Sequence, residues 1–205
     1  MLTAKIVNDL LGVDDSYKVP EALFKMMLDD EKRPGLFDKF LEIDCDISRD
    51  WFVDYFQEEH AERKRFNQDF TPISVTKILS RIAGGGKNYF ESAAGSGALM
   101  IAAWDRSQKE TSVFKYDPRE YWYQVEELSD RAVPFLIFNM AIRGMNGVVL
   151  HGDSLERDFK NVYFIRNDTP DFLRYSEVIV MPRTEMLMEE LNILSWREDL
   201  EEVTE

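Results

Sequence analysis

Cysteine and histidine are nearly missing from this 205-residue chain, which has one Cys, Cys45, and two His, His60 and His151. A single thiol can close no intrachain disulfide and build no cysteine zinc site, and two imidazoles do not make a histidine-rich metal site. The expectation is therefore a cytoplasmic protein that binds no metal. Long apolar runs are missing as well. No stretch approaches the roughly 20 residues of a membrane span, and no apolar core of a signal peptide follows the first residues. The sequence has no internal repeat and no low-complexity tract. Positive charge is short too: 25 Lys and Arg stand against 39 Asp and Glu, a net charge of −14. Binding DNA means neutralising phosphates, so this balance works against unaided contact with a polyanion. Arg63, Lys64, Arg65, Lys77, Arg81 and Lys87 do fall in one region, where they read first as a solvated helical face.

What is present is globular in composition. Apolar residues make up 44% of the chain and aromatics 13%, enough for one packed domain with a small appendage. Residues 1–62 carry apolar and aromatic side chains at three-to-four spacing: Leu23, Met26 and Met27, then Phe37, Phe40 and Leu41, then Trp51, Phe52, Tyr55 and Phe56. That period predicts helices, with Pro20 in a first turn and Pro34-Gly35 at a break. The stripes read as core, and the segment as a helical unit without a catalytic constellation. From residue 63 to 184 the pattern changes. Thr71 is placed to cap a helix that starts at Pro72 and turns Val75, Ile78, Leu79 and Ile82 inward, up to the stop at Gly84-Gly-Gly86. Strands are then expected over 87–91, 121–125, 147–150 and 178–180, with helices over 97–105 and 128–142. Strands alternating with helices at this spacing predict a parallel sheet with crossover helices. Residues 185–205 read as an acidic helix and tail.

The chemistry concentrates at the expected strand ends. Glu91-Ser-Ala-Ala-Gly-Ser-Gly97 follows one strand and opens a helix. Glycines there let the backbone approach a ligand, and the helix start offers unpaired N–H groups. The next strand ends in Glu126 and Glu127, of which Glu127 is in the better register to accept from ribose hydroxyls, with Glu126 as the alternative. The third ends in Gly152-Asp153-Ser154, where a carboxylate is placed for an adenine amino group. In open α/β sheets ligands sit outside the carboxyl ends of the strands. Each piece has a plain alternative as a tight turn, a solvated charge or a cap. Their order along successive strands is what gives them weight.

From residue 70 to about 180 the sequence resembles the N6-adenine DNA methyltransferases, above all the modification subunits of type I restriction systems. Phe70-Thr71-Pro72 matches their Phe-Thr-Pro segment. The loop Glu91 to Gly97 matches Asp-Pro-Ala-Cys-Gly-Ser-Gly, with Glu for Asp, Ser for Pro and Ala for Cys. Glu127-Leu128-Ser129 stands for Glu-Leu/Ile-Asp, Asn139 and Gly144 match an Asn followed five residues later by Gly, and Gly152 to Leu155 matches Gly-Asp-Ser-Leu. The resemblance implies a Rossmann-like S-adenosylmethionine-dependent methyltransferase fold with an amino-terminal helical segment. It implies a cofactor site at Phe70, Thr71, Pro72, Glu91, Ala93, Gly95, Ser96, Gly97, Glu127, Asp153 and Ser154.

The family ends its fourth strand in Asn/Asp-Pro-Pro-aromatic, which holds and stacks the flipped base. Aligned on that strand, this chain has Met181, Pro182, Arg183 and Thr184, of which only Pro182 is kept, and about 20 residues follow. Two functions stay open at this point. One is a cofactor-binding chain that methylates adenine in DNA once it is completed by a partner subunit, which also contacts the DNA, or by a missing carboxyl-terminal part. The other is an inactive methyltransferase-like fold that acts as a regulatory or inhibitory binding protein in a phage or restriction-modification setting. An exposed fourth strand predicts a protein partner or a second copy.

Overall fold

The computed structural model describes residues 2–53, 55–56, 86–112 and 115–197. Phe70, Thr71, Pro72, the helix expected from Pro72, most of the basic cluster and the tail from 198 lie outside the described residues.

Three short helices come first. Helix α1 (Ala4–Leu11) starts at Thr3, whose hydroxyl accepts from the Ile6 N–H, and stops at Gly12 in the left-handed conformation. Helices α2 (Val19–Met27) and α3 (Arg33–Ile43) each carry proline in the first turn, where no intrahelical donor is lost. Their apolar stripes bury Leu23 and Met27, and Leu36, Phe37 and Phe40.

The sheet follows. Strand β1 (Asn88–Glu91) leads through α4 (Ala98–Thr111) to β2 (Trp122–Glu127), and β2 through α5 (Val133–Ile142) to β3 (Gly147–Asp153). Strands β4 (Asp158–Arg166) and β5 (Glu177–Val180) come next, then α6 (Glu185–Leu191) and the short β6 (Ser195–Trp196). The spatial order is β1-β2-β3-β4-β5, with β6 on β4. The first three strands are parallel, as strand–helix–strand crossovers require.

All ten residues of α5 are buried. The helix lies between the sheet and the amino-terminal helices, so it has no solvent face to make polar. Phe52 meets Phe135 at 4.6 Å between ring centroids, and Phe40 meets Phe138 at 4.8 Å. The early aromatic stripes thus close on α5, and helices and sheet share one hydrophobic core. A second, smaller cluster on the other face joins Val148, Leu150, Phe159 and Val162 to Leu187, Met188 and Leu191 of α6. No helix among the described residues is long and apolar enough to cross a membrane.

The α/β class and the Rossmann-like parallel half are as expected, but the sheet is mixed. Strand β4, nine residues with no counterpart in the expected pattern, pairs antiparallel with β3. Its register shifts at His151 and Gly152, which leaves Lys160 without a partner opposite. This bulge puts Phe159 and Val162 in the same cluster, three residues apart instead of two. The strand period of two is hidden in the sequence for that reason.

The larger correction concerns the expected fourth strand. Glu177–Val180 runs antiparallel to β4, at the edge opposite β1. Four strand spacings, about 19 Å, separate those edges. Met181, Pro182, Arg183 and Thr184, expected to follow a fourth parallel strand, instead follow an edge strand that β4 separates from β3. The Met181 N–H donates to the Val162 carbonyl at 2.9 Å, Arg183 sits over the Trp196 ring, and Thr184 caps α6 through its hydroxyl. Their work is to carry the chain from the edge strand into the helix.

Candidate cofactor site

The carboxyl ends of β1, β2 and β3 lie side by side, because the strands are parallel and in register from Glu91↔Val125 to Glu127↔His151. The turn after β1 is built on two glycines with positive φ, Gly95 at +57° and Gly97 at +96°. A Cβ at Gly97 would press to 2.8 Å from Met100 and 2.9 Å from Leu136, so the turn packs directly on α4 and α5. A Cβ at Gly95 would meet nothing within 4 Å, which leaves that side of the turn open. Gly97 starts α4 without any side-chain cap. The first N–H groups of a 14-residue helix therefore face the turn unclaimed by a side chain.

Glu127 reaches across from β2. One carboxylate oxygen accepts from the Gly95 N–H at 2.7 Å, the other from the Ser129 N–H at 2.8 Å. A carboxylate offers about four acceptor positions, so capacity remains after both bonds. Glu126, one residue earlier, points to the opposite face, as alternation in a strand demands. It is fully buried, and both its oxygens take Arg157 Nη1 at 2.7 Å. The alternative register for a ribose acceptor is thus consumed by an ion pair.

At the end of β3, Asp153 Oδ1 accepts from the N–H groups of Leu155 and Glu156 at 2.9 and 3.2 Å. This is the turn-capping geometry, and it leaves Oδ2 clear. The Ser154 hydroxyl donates to the Ser92 carbonyl at 2.6 Å and ties the end of β3 to the turn after β1. Ala93 is exposed and Ser96 buried within the same turn. Glu91 closes the group on the β1 side, where the Tyr89 hydroxyl donates to it at 2.9 Å. Burial pushes the Glu91 carboxyl up to about 7; the Glu127 charge adds to the rise and the Tyr89 hydrogen bond opposes it. Two large apolar side chains stand open beside the acids: Leu128 after Glu127, and Leu155 two residues after Asp153.

The structure thus brings together Glu91, Ala93, Gly95, Ser96, Gly97, Glu127, Asp153 and Ser154. Residues 181–184 follow β5, two strands from β3 and four from β1, and Phe70, Thr71 and Pro72 lie outside the described residues. Tyr89 was not anticipated as a partner of Glu91. The two-residue spacing on one strand face was the signal for it.

Comparison with curated proteins gives no match. The family model for N-6 DNA methylase matches residues 48–174. That span holds β1 to β4, the glycine turn and all three acidic strand ends, and it begins inside the amino-terminal helical region. With well over half of the chain matched, and the strand-end geometry in place, this protein belongs to the N-6 DNA methylase family.

Proposed function

We propose that the chain binds S-adenosylmethionine across the carboxyl ends of β1, β2 and β3, in the service of methyl transfer to the N6 amino group of adenine in DNA. The observation that carries this reading is the Glu127 carboxylate, hydrogen bonded to the glycine turn with acceptor capacity to spare. The residues fit such a ligand. Glu127 is placed to accept from ribose hydroxyls and Asp153 Oδ2 from an amino group, while Leu128 and Leu155 offer apolar surface to a planar ring. The open side of Gly95 and the uncapped start of α4 give room and N–H donors for the amino-acid portion.

When bound, the cofactor supplies an activated methyl group on a sulfonium. The chain's own residues hold and orient it, which is where much of the rate of a transfer between two bound groups arises. Glu127 also places negative charge beside a cationic ligand.

The net charge of −14 leaves this chain poorly suited to hold DNA alone. A partner subunit is the proposed source both of DNA contacts and of the groups that orient the target amino group. The second edge, β5, is the proposed contact for a protein partner or a second copy. Val180 is half exposed there, and edge strands of this kind are normally covered. Calorimetry with S-adenosylmethionine and with its demethylated product tests the cofactor reading. Binding of both is expected, and no heat at millimolar ligand would sink it. Transfer of labelled methyl to adenine-containing DNA, with and without candidate partner subunits, tests the reaction. Light scattering that shows a clean monomer at high concentration would remove the second-copy contact at β5.

A further inference from the structure

Ser96, in the middle of the glycine turn, is held from a distance. Its hydroxyl donates to Asp50 Oδ2 at 2.5 Å, and its carbonyl accepts from Asn139 Nδ2 at 2.8 Å. The same Asn139 amide donates to Asp50 Oδ1 at 3.0 Å, and the Phe52 N–H donates there too. Asn139 is fixed in turn by Arg143. Its Nη1 donates to the Asn139 side-chain and main-chain oxygens at 2.9 and 2.8 Å. The remaining Arg143 donors go to the carbonyls of Ile47 and Arg49, both at 2.8 Å. Asp50, Ser96, Asn139 and Arg143 are all buried. The network is therefore closed: it leaves the segment 47–52, passes through the glycine turn and α5, and returns to the segment 47–49. Buried polar groups that satisfy one another in this way specify one arrangement of the backbone that carries them.

We propose that Asp50 is a positioning residue for the cofactor turn, setting through Ser96 the placement of Gly95–Gly97 and of the open amino end of α4. The inference rests on the cofactor reading for its consequence and on the hydrogen bonds alone for its mechanism. It makes the amino-terminal helical region part of the site's construction. A turn with two left-handed glycines has many conformations available. Asp50 and Asn139 grip its central residue from both the side chain and the carbonyl, and so restrict it to one.

The variants Asp50→Ala, Asp50→Asn and Ser96→Ala separate the possibilities. Asparagine has the shape to keep the contacts to Ser96, Asn139 and Phe52, while alanine keeps none. In Asp50→Ala, amide hydrogen exchange at residues 95–98 is expected to speed by about tenfold or more, with Val149 and Leu150 in β3 unchanged, and S-adenosylmethionine to bind about tenfold more weakly, the effect of roughly one hydrogen bond. Asp50→Asn is expected to lose thermal stability, because Arg143 is left without its buried counter-charge, yet to stay within about threefold of the parent in affinity. Ser96→Ala tests the same grip if Asp50→Ala does not fold, and is expected to speed exchange at 95–98 as well. Folded variants whose turn exchanges as slowly as the parent's would overturn the proposal. So would Asn and Ala variants equally impaired in binding. If the parent chain binds no S-adenosylmethionine, the cofactor reading falls, and the exchange measurements still decide whether Asp50 positions the turn.

Discussion

The two sides of the sheet use the same kinds of polar residue to opposite ends. On the parallel side, Glu127 and Asp153 bond to loop N–H groups and still have acceptor positions left. On the antiparallel side Glu126, Arg157 and Asp158 are taken up in pairing. Arg157 fills Glu126 on one face and donates to the Leu191 and Asn192 carbonyls at the end of α6. Asp158 takes the Ser195 hydroxyl and the Arg197 guanidinium, each at 2.7 Å. Glu126 and Glu127 make the contrast within two residues. The pleat turns one into the second core, where it must be paired, and the other toward the strand ends, where it is available. Parallel strands deliver loops to one end of a sheet, and antiparallel strands spend their connections on closing an edge.

Breaking the closed side should cost the most stability. Arg157→Ala leaves Glu126 buried without a counter-charge, at about 3–5 kcal/mol, or a fall of roughly 10 °C or more in Tm for a chain of this size. Cofactor affinity of the remaining folded protein should be unchanged. Calorimetric melting alongside ligand titration checks both, and a loss of affinity would show that the two sides are not separable.

Glu91 sharpens the contrast through pH. Its folded pKa of about 7 lies above the ordinary 4.5. Below 4.5 the carboxyl is neutral in both states and carries no penalty. As pH rises through 7 the folded state must hold a charge it disfavours, and stability falls by up to about 3 kcal/mol. Glu91→Gln should therefore be more stable than the parent at pH 8 and equal to it near pH 4. Denaturant titrations across pH 4–8 test this, and identical curves would refute it.

Glu127→Gln keeps the shape but turns half of the carboxylate into a donor that faces the Gly95 or Ser129 N–H. Affinity for S-adenosylmethionine should drop by about tenfold to a hundredfold, and Tm should fall by a few degrees because one of those N–H groups loses its acceptor. The same loss in Glu126→Gln would reverse the assignment of the two glutamates. The smallest effect is expected at Thr184→Ala, which removes the cap of α6 at about 1 kcal/mol and should leave cofactor binding untouched. That last result would show that Thr184 caps α6 and takes no part in cofactor binding.

The sequence carried the parallel half because its signals are local: a strand, a glycine turn, a helix, and an acid at each following strand end. It did not carry the antiparallel half. The bulge at Lys160 breaks the alternation of β4, and without β4 the segment 177–180 falls into place as a fourth parallel strand with a ruined motif behind it. The placing of 181–184 at the motif position rested on that alignment, and β4 stands between 177–180 and β3. Asp50 was invisible for another reason. Its bond to the Phe52 N–H is what an ordinary turn or cap residue makes. Its partners Ser96 and Asn139 lie 46 and 89 residues away, with nothing local to announce them.

That separation also has a consequence in time. The aromatic faces of α2, α3 and the segment 51–56 find their main counterpart in α5. Arg143, which laces the two together, is 94 and 96 residues from the carbonyls of Arg49 and Ile47. Synthesis at about 5–20 residues per second puts a delay of roughly 5–20 s between the two. For that interval on the ribosome, Phe37, Phe40, Trp51 and Phe52 have no α5 to cover them. Newly made chains interrupted before residue 143 should be the form of this protein that chaperones hold and that aggregates first.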